Sequence, residues 1–268
     1  MKLSFSTLGC PDWTFGEMFA VTSDLGYDGI EIRGIADEIY APKIPELQPQ
    51  NIDSTLARLK KTGLEIPILT SGAYLADNPD PEAADFEVKD YIMLANRMGV
   101  KNVRVLGEKG PEPEGTDQLE TVKKKYKELC RFAAEFGTDL LIETNGILAD
   151  STLMKSFMES VDEPNMGIIW DIHHTVRFFG EKPADTVEKI GKWIKHVHVK
   201  DSVRGRNGAI TYMLTGYGDI PVDEAYSALS NIGYDGYYSY EWVKRWSREL
   251  AEPGVAFYKY VSYMRGLE

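Results

Sequence analysis

Apolar positions along this chain follow two alternating periods. Leu119, Val122, Tyr126, Leu129, Ala133 and Phe136 step by three and four residues, laying one apolar stripe along a helix. Val88, Ile92, Ala95 and Met98 do the same ahead of Gly99. The face opposite the first stripe carries Lys123, Lys124 and Lys127, as a solvated helix surface does. Between such stripes stand short β-rich runs: Lys2–Ser6, Gly29–Arg33, Ile66–Leu69, Asn102–Leu106, Leu140–Glu143, Gly167–Trp170, Ile194–Val199 and Gly236–Tyr240. Several are near-continuous apolar runs, the pattern of strands covered on both faces.

One phrase joins the two periods. Gly26, Gly63, Gly99, Gly137, Gly191 and Gly233 each close a helical stretch and precede a β-rich run. Glycine takes the left-handed conformation past a helix end at no steric cost. Eight strands alternating with helices predict an α/β fold, a (β/α)8 TIM barrel, as a single domain over residues 1–268. An open doubly wound sheet is the other arrangement such alternation allows. No Gly-x-Gly-x-x-Gly or Gly-x-x-x-x-Gly-Lys-Ser/Thr loop follows any strand, so no nucleotide cofactor is expected.

Composition narrows the partners. Thirty basic residues against 42 acidic ones give a net charge of −12. That balance repels polyanions, so neither nucleic-acid nor anionic-membrane binding is expected. Two cysteines, Cys10 and Cys130, are too few for a disulfide framework or a cysteine-rich zinc site. With no apolar run of signal-peptide or membrane-span type, the expected location is the cytoplasm. Both thiols are expected to be buried. Trp246 and Tyr258–Tyr263 form a C-terminal aromatic patch through which a homo-oligomer could assemble.

Chemistry is expected where barrel strands hand over to the following loops. The fifth predicted strand ends in Ile-Glu143-Thr-Asn and the sixth in Trp-Asp171-Ile-His-His174. The seventh reads His196-Val-His198-Val-Lys200-Asp201, and the eighth ends in Tyr-Glu241-Trp. Four consecutive strands thus deliver Glu143, Asp171, His198 and Glu241 to one rim. Three carboxylates around one imidazole repel each other unless a cation sits among them. Mixed oxygen and nitrogen ligation suits Mn²⁺ first, with Mg²⁺, Co²⁺ or Zn²⁺ as alternatives. His174, three residues after Asp171, is placed in the following loop to meet substrate or a second ligand. His196 lies deeper on the same side as His198 and reads as a supporting or core group.

These segments resemble the xylose-isomerase-like barrel superfamily, in the branch of sugar isomerases and epimerases. The resemblance implies that Glu143, Asp171, His198 and Glu241 hold one divalent metal ion. It further implies that His174 and Arg204, six residues after His198, grip substrate hydroxyls. Glu143 and Glu241 would then serve as the acid/base pair, moving a proton next to the carbonyl of a small keto-sugar or polyol through an enediolate. The same parts serve a dehydratase when the substrate carries a β-hydroxyl leaving group, as in inosose dehydratases. A barrel that binds sugar without turnover is a third reading. The related endonuclease IV chemistry needs additional histidines on the third and fourth strands, where this chain has Leu69-Thr-Ser-Gly72 and Val105-Leu-Gly-Glu108.

Other residues carry weaker signals. Trp13 and Tyr217 offer aromatic surface for a sugar ring. Lys200 either meets a substrate oxygen or orients its loop. Arg104, inside the fourth strand, is expected to pair with an acid on a neighbouring strand.

Overall fold

The computed structural model describes residues 1–268. In chain order the first elements are β1 (Lys2–Ser6), α1 (Phe15–Leu25), β2 (Gly29–Glu31), α2 (Ile52–Thr62) and β3 (Ile68–Tyr74). Then come α3 (Pro81–Met98), β4 (Asn102–Leu106), α4 (Leu119–Glu135), β5 (Asp139–Glu143), α5 (Ser151–Val161) and β6 (Met166–Asp171). The last third holds α6 (Ile172–Phe179), α7 (Pro183–Ile190), β7 (Ile194–Val199), β8 (Asp201–Arg204), β9 (Ile210–Met213), α8 (Val222–Asn231), β10 (Tyr237–Tyr240) and α9 (Pro253–Arg265).

Eight strands form one sheet in the order β2-β1-β10-β7-β6-β5-β4-β3, the nearly closed parallel barrel of the TIM fold. Past β2 the pairing continues through a parallel bridge from Gly29 to Glu65. Ile30 N donates to Glu65 O at 3.0 Å, and Glu65 N to Asp28 O at 3.1 Å. Gly29 is needed for this approach, because a Cβ there would sit 2.9 Å from Glu65 O. Pro67, lacking an N–H, then interrupts the ladder. The third strand therefore starts at Ile68 rather than at Ile66, and runs on to Tyr74.

The chain forms two compact units, with the division running through β7. In the unit Ile68–His196, Ile68, Leu141 and Ile169 pack together fully buried. Side chains alternate along a strand, so Glu143 and Asp171 point to the same side as Leu141 and Ile169, one step further along. The outer face of β5 and β6 is tied to α4 by Tyr126, whose hydroxyl lies 2.7 Å from Leu140 O and 3.1 Å from Gly167 O. Helix starts are set locally. Asp80 caps α3 through Ala83 N, Asp150 caps α5 through Thr152 N and Leu153 N, and Gly99 takes the left-handed conformation behind α3.

The unit of Met1–Pro67 with Val197–Glu268 has an aromatic core. Phe5 stacks on Phe257 at 4.3 Å and Tyr240 on Tyr260 at 4.6 Å. The expected C-terminal aromatic patch is therefore only partly a surface. Residues 257, 260 and 264 share one face of α9 and are buried there, while Trp246 (59% exposed) and Tyr258 (56%) stay outside. Between β7 and α8 the chain forms an antiparallel ribbon of β8 and β9, pairing Asp201 with Met213 and Arg204 with Ile210. No helix is long and apolar enough to cross a membrane.

Candidate metal centre

In the unit Ile68–His196 the site residues stand at the ends of β5 and β6. Arg104 on β4 crosses to Glu143, with Nη1 2.8 Å from Oε2. Two further guanidinium N–H groups donate to Ser71 O, from Nε at 3.2 Å and from Nη2 at 2.9 Å. The expected cross-strand ion pair of Arg104 is thus made with one of the candidate ligands. Both partners are buried, where a paired charge is retained and a lone one is costly.

Asp171 ends β6 and at the same time caps α6, its Oδ1 accepting His174 N at 3.0 Å. No loop intervenes between Asp171 and the helix, so His174 occupies the first turn rather than the loop that the sequence suggests. Its Nδ1 lies 2.9 Å from Thr144 O. A carbonyl only accepts, so Nδ1 donates and carries the proton. Nε2 then faces Asp171 Oδ2 at 3.5 Å, and Nδ1 also stands 3.7 Å from Glu143 Oε1. Asp171, His173 and His174, all buried, bring ligand atoms within 4.8 Å of one another.

In the other unit, His198 near the end of β7 lies between two carboxylates. Its Nε2 is 3.1 Å from Glu31 Oε2 and its Nδ1 3.5 Å from Glu241 Oε1. Glu241 follows β10 directly and continues its pairing, with N donating to Val199 O at 3.0 Å. Lys200, buried, places Nζ 2.5 Å from Glu241 Oε2. Lys200, for which the sequence offers a substrate contact or a loop-orienting role, is thus paired with a candidate ligand. Loop orientation falls to Asp201, whose carboxylate accepts the backbone N–H groups of Ser202, Gly216, Gly218 and Ile220.

The other candidates are placed as follows. His196 is buried on β7. Arg204 is exposed at the end of β8. Trp13 is half-buried, edge-on to Phe257 at 5.5 Å, and Tyr217 is exposed with Lys259 over its ring. Cys10 is buried, and burial pushes its thiol well above the ordinary range. Cys130 is pushed up to about 12 by the same cause. Glu31 is the residue that sequence reasoning passed over. Its signal was a single carboxylate inside the apolar run Gly29-Ile30-Glu31-Ile32.

The family of xylose isomerase-like TIM barrels matches residues 19–261, and the chain belongs to it. Fructoselysine 3-epimerase of Escherichia coli O157:H7 is 26% identical over 93% of each chain. The 3-dehydroshikimate dehydratase of Bacillus anthracis is 23% identical over 70% of this chain and 66% of its own. Among solved structures, the IOLI protein with a bound zinc atom superposes with a TM-score of 0.81 at 20% identity, over 100% of this chain and 98% of that one. The relatives are thus epimerases and dehydratases of one superfamily, some with bound metal.

Proposed function

We propose that the protein is a divalent-metal-dependent sugar isomerase or epimerase, with Glu143, Asp171, His198 and Glu241 as the metal ligands. The observation that carries this reading is the series of buried Glu, Asp, His and Glu side chains at the C-terminal ends of four neighbouring strands, β5, β6, β7 and β10. The donors fit in kind: Glu143, Asp171, His198 and Glu241 are all buried, and Glu143 and Glu241 are each held by one cationic side chain, Arg104 and Lys200. Oxygen-rich ligation with one imidazole suits Mn²⁺, Mg²⁺, Co²⁺ or Zn²⁺.

Held by these residues, a divalent cation would supply Lewis-acid polarisation of a substrate carbonyl and so acidify the adjacent C–H. Glu143 and Glu241 are the proton-transfer pair. One takes the proton from carbon, and the other returns a proton to the opposite face. Such general acid–base assistance is worth about 10²–10⁴-fold. Arg104 and Lys200 hold the two carboxylates in place. His174, Arg204, Lys200 and Trp13 are the proposed substrate contacts, with His174 held ready by Thr144 O and Asp171.

Dehydration is the second reading, and the match to a 3-dehydroshikimate dehydratase favours it. The same base removes the proton, and the partner acid protonates a β-hydroxyl that departs as water. NMR in D₂O with Mn²⁺ separates the two readings on a panel of keto-sugars, fructoselysine, inososes and 3-dehydroshikimate. Deuterium incorporated next to a carbonyl, and lost in Glu241→Gln, supports epimerisation or isomerisation. An unsaturated product supports the dehydratase. No turnover together with no binding of Mn²⁺, Co²⁺ or Zn²⁺ overturns the metal centre.

A further inference from the structure

Glu31, at the end of β2, is fully buried, yet it belongs to none of the four proposed ligands. Its Oε2 lies 3.1 Å from His198 Nε2 and accepts a hydrogen bond from Ser239 Oγ at 2.7 Å. A carboxylate oxygen only accepts, so the imidazole presents its N–H at Nε2. In the neutral ring that leaves the lone pair on Nδ1, the nitrogen directed to Glu241 Oε1 at 3.5 Å. Ser239 sits two residues before Glu241, on the same side of β10, and its hydroxyl is a second donor that fixes the carboxylate's own position.

We propose that Glu31 is a positioning residue. Its hydrogen bond to Nε2 sets the His198 tautomer, so that the Nδ1 lone pair is the donor offered to a cation, and Ser239 holds Glu31 in place. A ring N–H given to a carboxylate both orients an imidazole and raises its basicity as a ligand. Only the clause about the cation rests on the metal-centre reading; the tautomer is a property of the metal-free protein. A purely structural Glu31 would contribute to stability and leave the tautomer alone.

Long-range ¹H–¹⁵N correlation of the histidine-labelled, metal-free protein reads the tautomer directly, with His198 assigned from the spectrum of His198→Gln. The expected wild-type result is one tautomer, protonated at Nε2, with a slowly exchanging ring proton. Glu31→Ala gives averaged nitrogen shifts and loses that proton to solvent exchange, whereas Glu31→Gln keeps the wild-type pattern because its amide oxygen still accepts. Co²⁺ titration then shows about a 10- to 100-fold weaker affinity for Glu31→Ala, largely recovered in Glu31→Gln. Should Glu31→Ala not fold, Ser239→Ala gives the same readout, with faster exchange of the Nε2 proton. A wild-type His198 protonated at Nδ1, or a tautomer and exchange rate unmoved by Glu31→Ala, overturns the proposal. Failure of wild-type protein to bind Co²⁺ overturns the metal centre instead, and the tautomer still decides the role of Glu31.

Discussion

Lys200 and Glu241, each the residue that directly follows one of the neighbouring strands β7 and β10, form a buried ion pair, Nζ to Oε2 at 2.5 Å. Arg104 and Glu143 form its counterpart at 2.8 Å on β4 and β5. Each proposed proton-transfer carboxylate is thus held by one cation, and the two cations differ. Guanidinium is permanently charged and planar, here with two more of its N–H groups donating to Ser71 O, whereas ammonium is a point charge on a flexible stem.

Breaking the first of these pairs should be costly to the fold. Arg104→Met leaves Glu143 buried without its cation, and the expected loss of stability is roughly 3–5 kcal/mol. The double variant Arg104→Met/Glu143→Gln should recover part of it. Urea unfolding of the four proteins in the cycle measures the coupling, and additive losses would show that the pair contributes nothing.

At Lys200 the expected effect is on catalysis. Lys200→Met should lower kcat about 10- to 100-fold on whichever substrate the D₂O panel identifies, through loss of the group that fixes Glu241. Lys200→Arg, which keeps a charge in different geometry, should fall between the two. Wild-type kcat in Lys200→Met would remove Lys200 from the site.

Cation binding should be visible without turnover. A cation that binds only the folded chain stabilises it by about 2.7 kcal/mol at a hundredfold excess over Kd. Added Mn²⁺ or Co²⁺ should therefore raise the Tm of the chelator-treated protein. The rise should vanish in Asp171→Asn, and an unchanged shift in that variant would exclude Asp171 as a ligand.

The Asp201 turn gives a prediction outside the chemistry. A Cβ on Gly218 would lie 2.0 Å from Asp201 Oδ1, so Gly218→Ala cannot keep the turn. Asp201→Asn replaces one accepting oxygen by a donor, leaving N–H groups of Gly216, Gly218 or Ile220 unsatisfied. Amide exchange should accelerate about tenfold or more in Asp201→Asn, either at Gly216 and Gly218 or at Ile220 according to which oxygen is replaced, while exchange in β5 and β6 stays at the wild-type rate.

Alkaline pH should destabilise the fold. Cys130 is raised from 9.0 to about 12 and Cys10 well above 9.0, both first by burial. The unfolded chain therefore loses these protons first. The contribution is complete below pH 9 and is lost as pH rises toward 12. Each buried thiol should steepen the decline by about 1.4 kcal/mol per pH unit in that window. Urea midpoints between pH 8 and pH 11 test this, and Cys130→Ala should flatten the slope by one group's share.

Much of the scaffold is legible from periodicity alone. Lys2–Ser6, Asn102–Leu106 and Ile194–Val199 form strands with the limits their apolar runs suggest, because covered strands need continuous apolar residues. The ribbon of β8 and β9 escaped because its strands are short and half-exposed. Its signal was present in Asn207-Gly208, a dipeptide suited to a tight hairpin, and Gly208 has φ +82°. The helical start after Asp171 was likewise readable, since Asp before an apolar residue is a good N-cap. Glu31 was harder. A lone acid in a strand has many uses, and only the fold brings it to His198.

Asp171 has two oxygens with two different duties. Oδ1 receives the backbone of His174, and Oδ2 faces that residue's imidazole. One side chain therefore sets the rotational phase of α6 and, through it, the direction in which His174 points. Adding a methylene at this position would change both together. The site's geometry is in this sense inherited from the handover of strand to helix, rather than adjusted side chain by side chain.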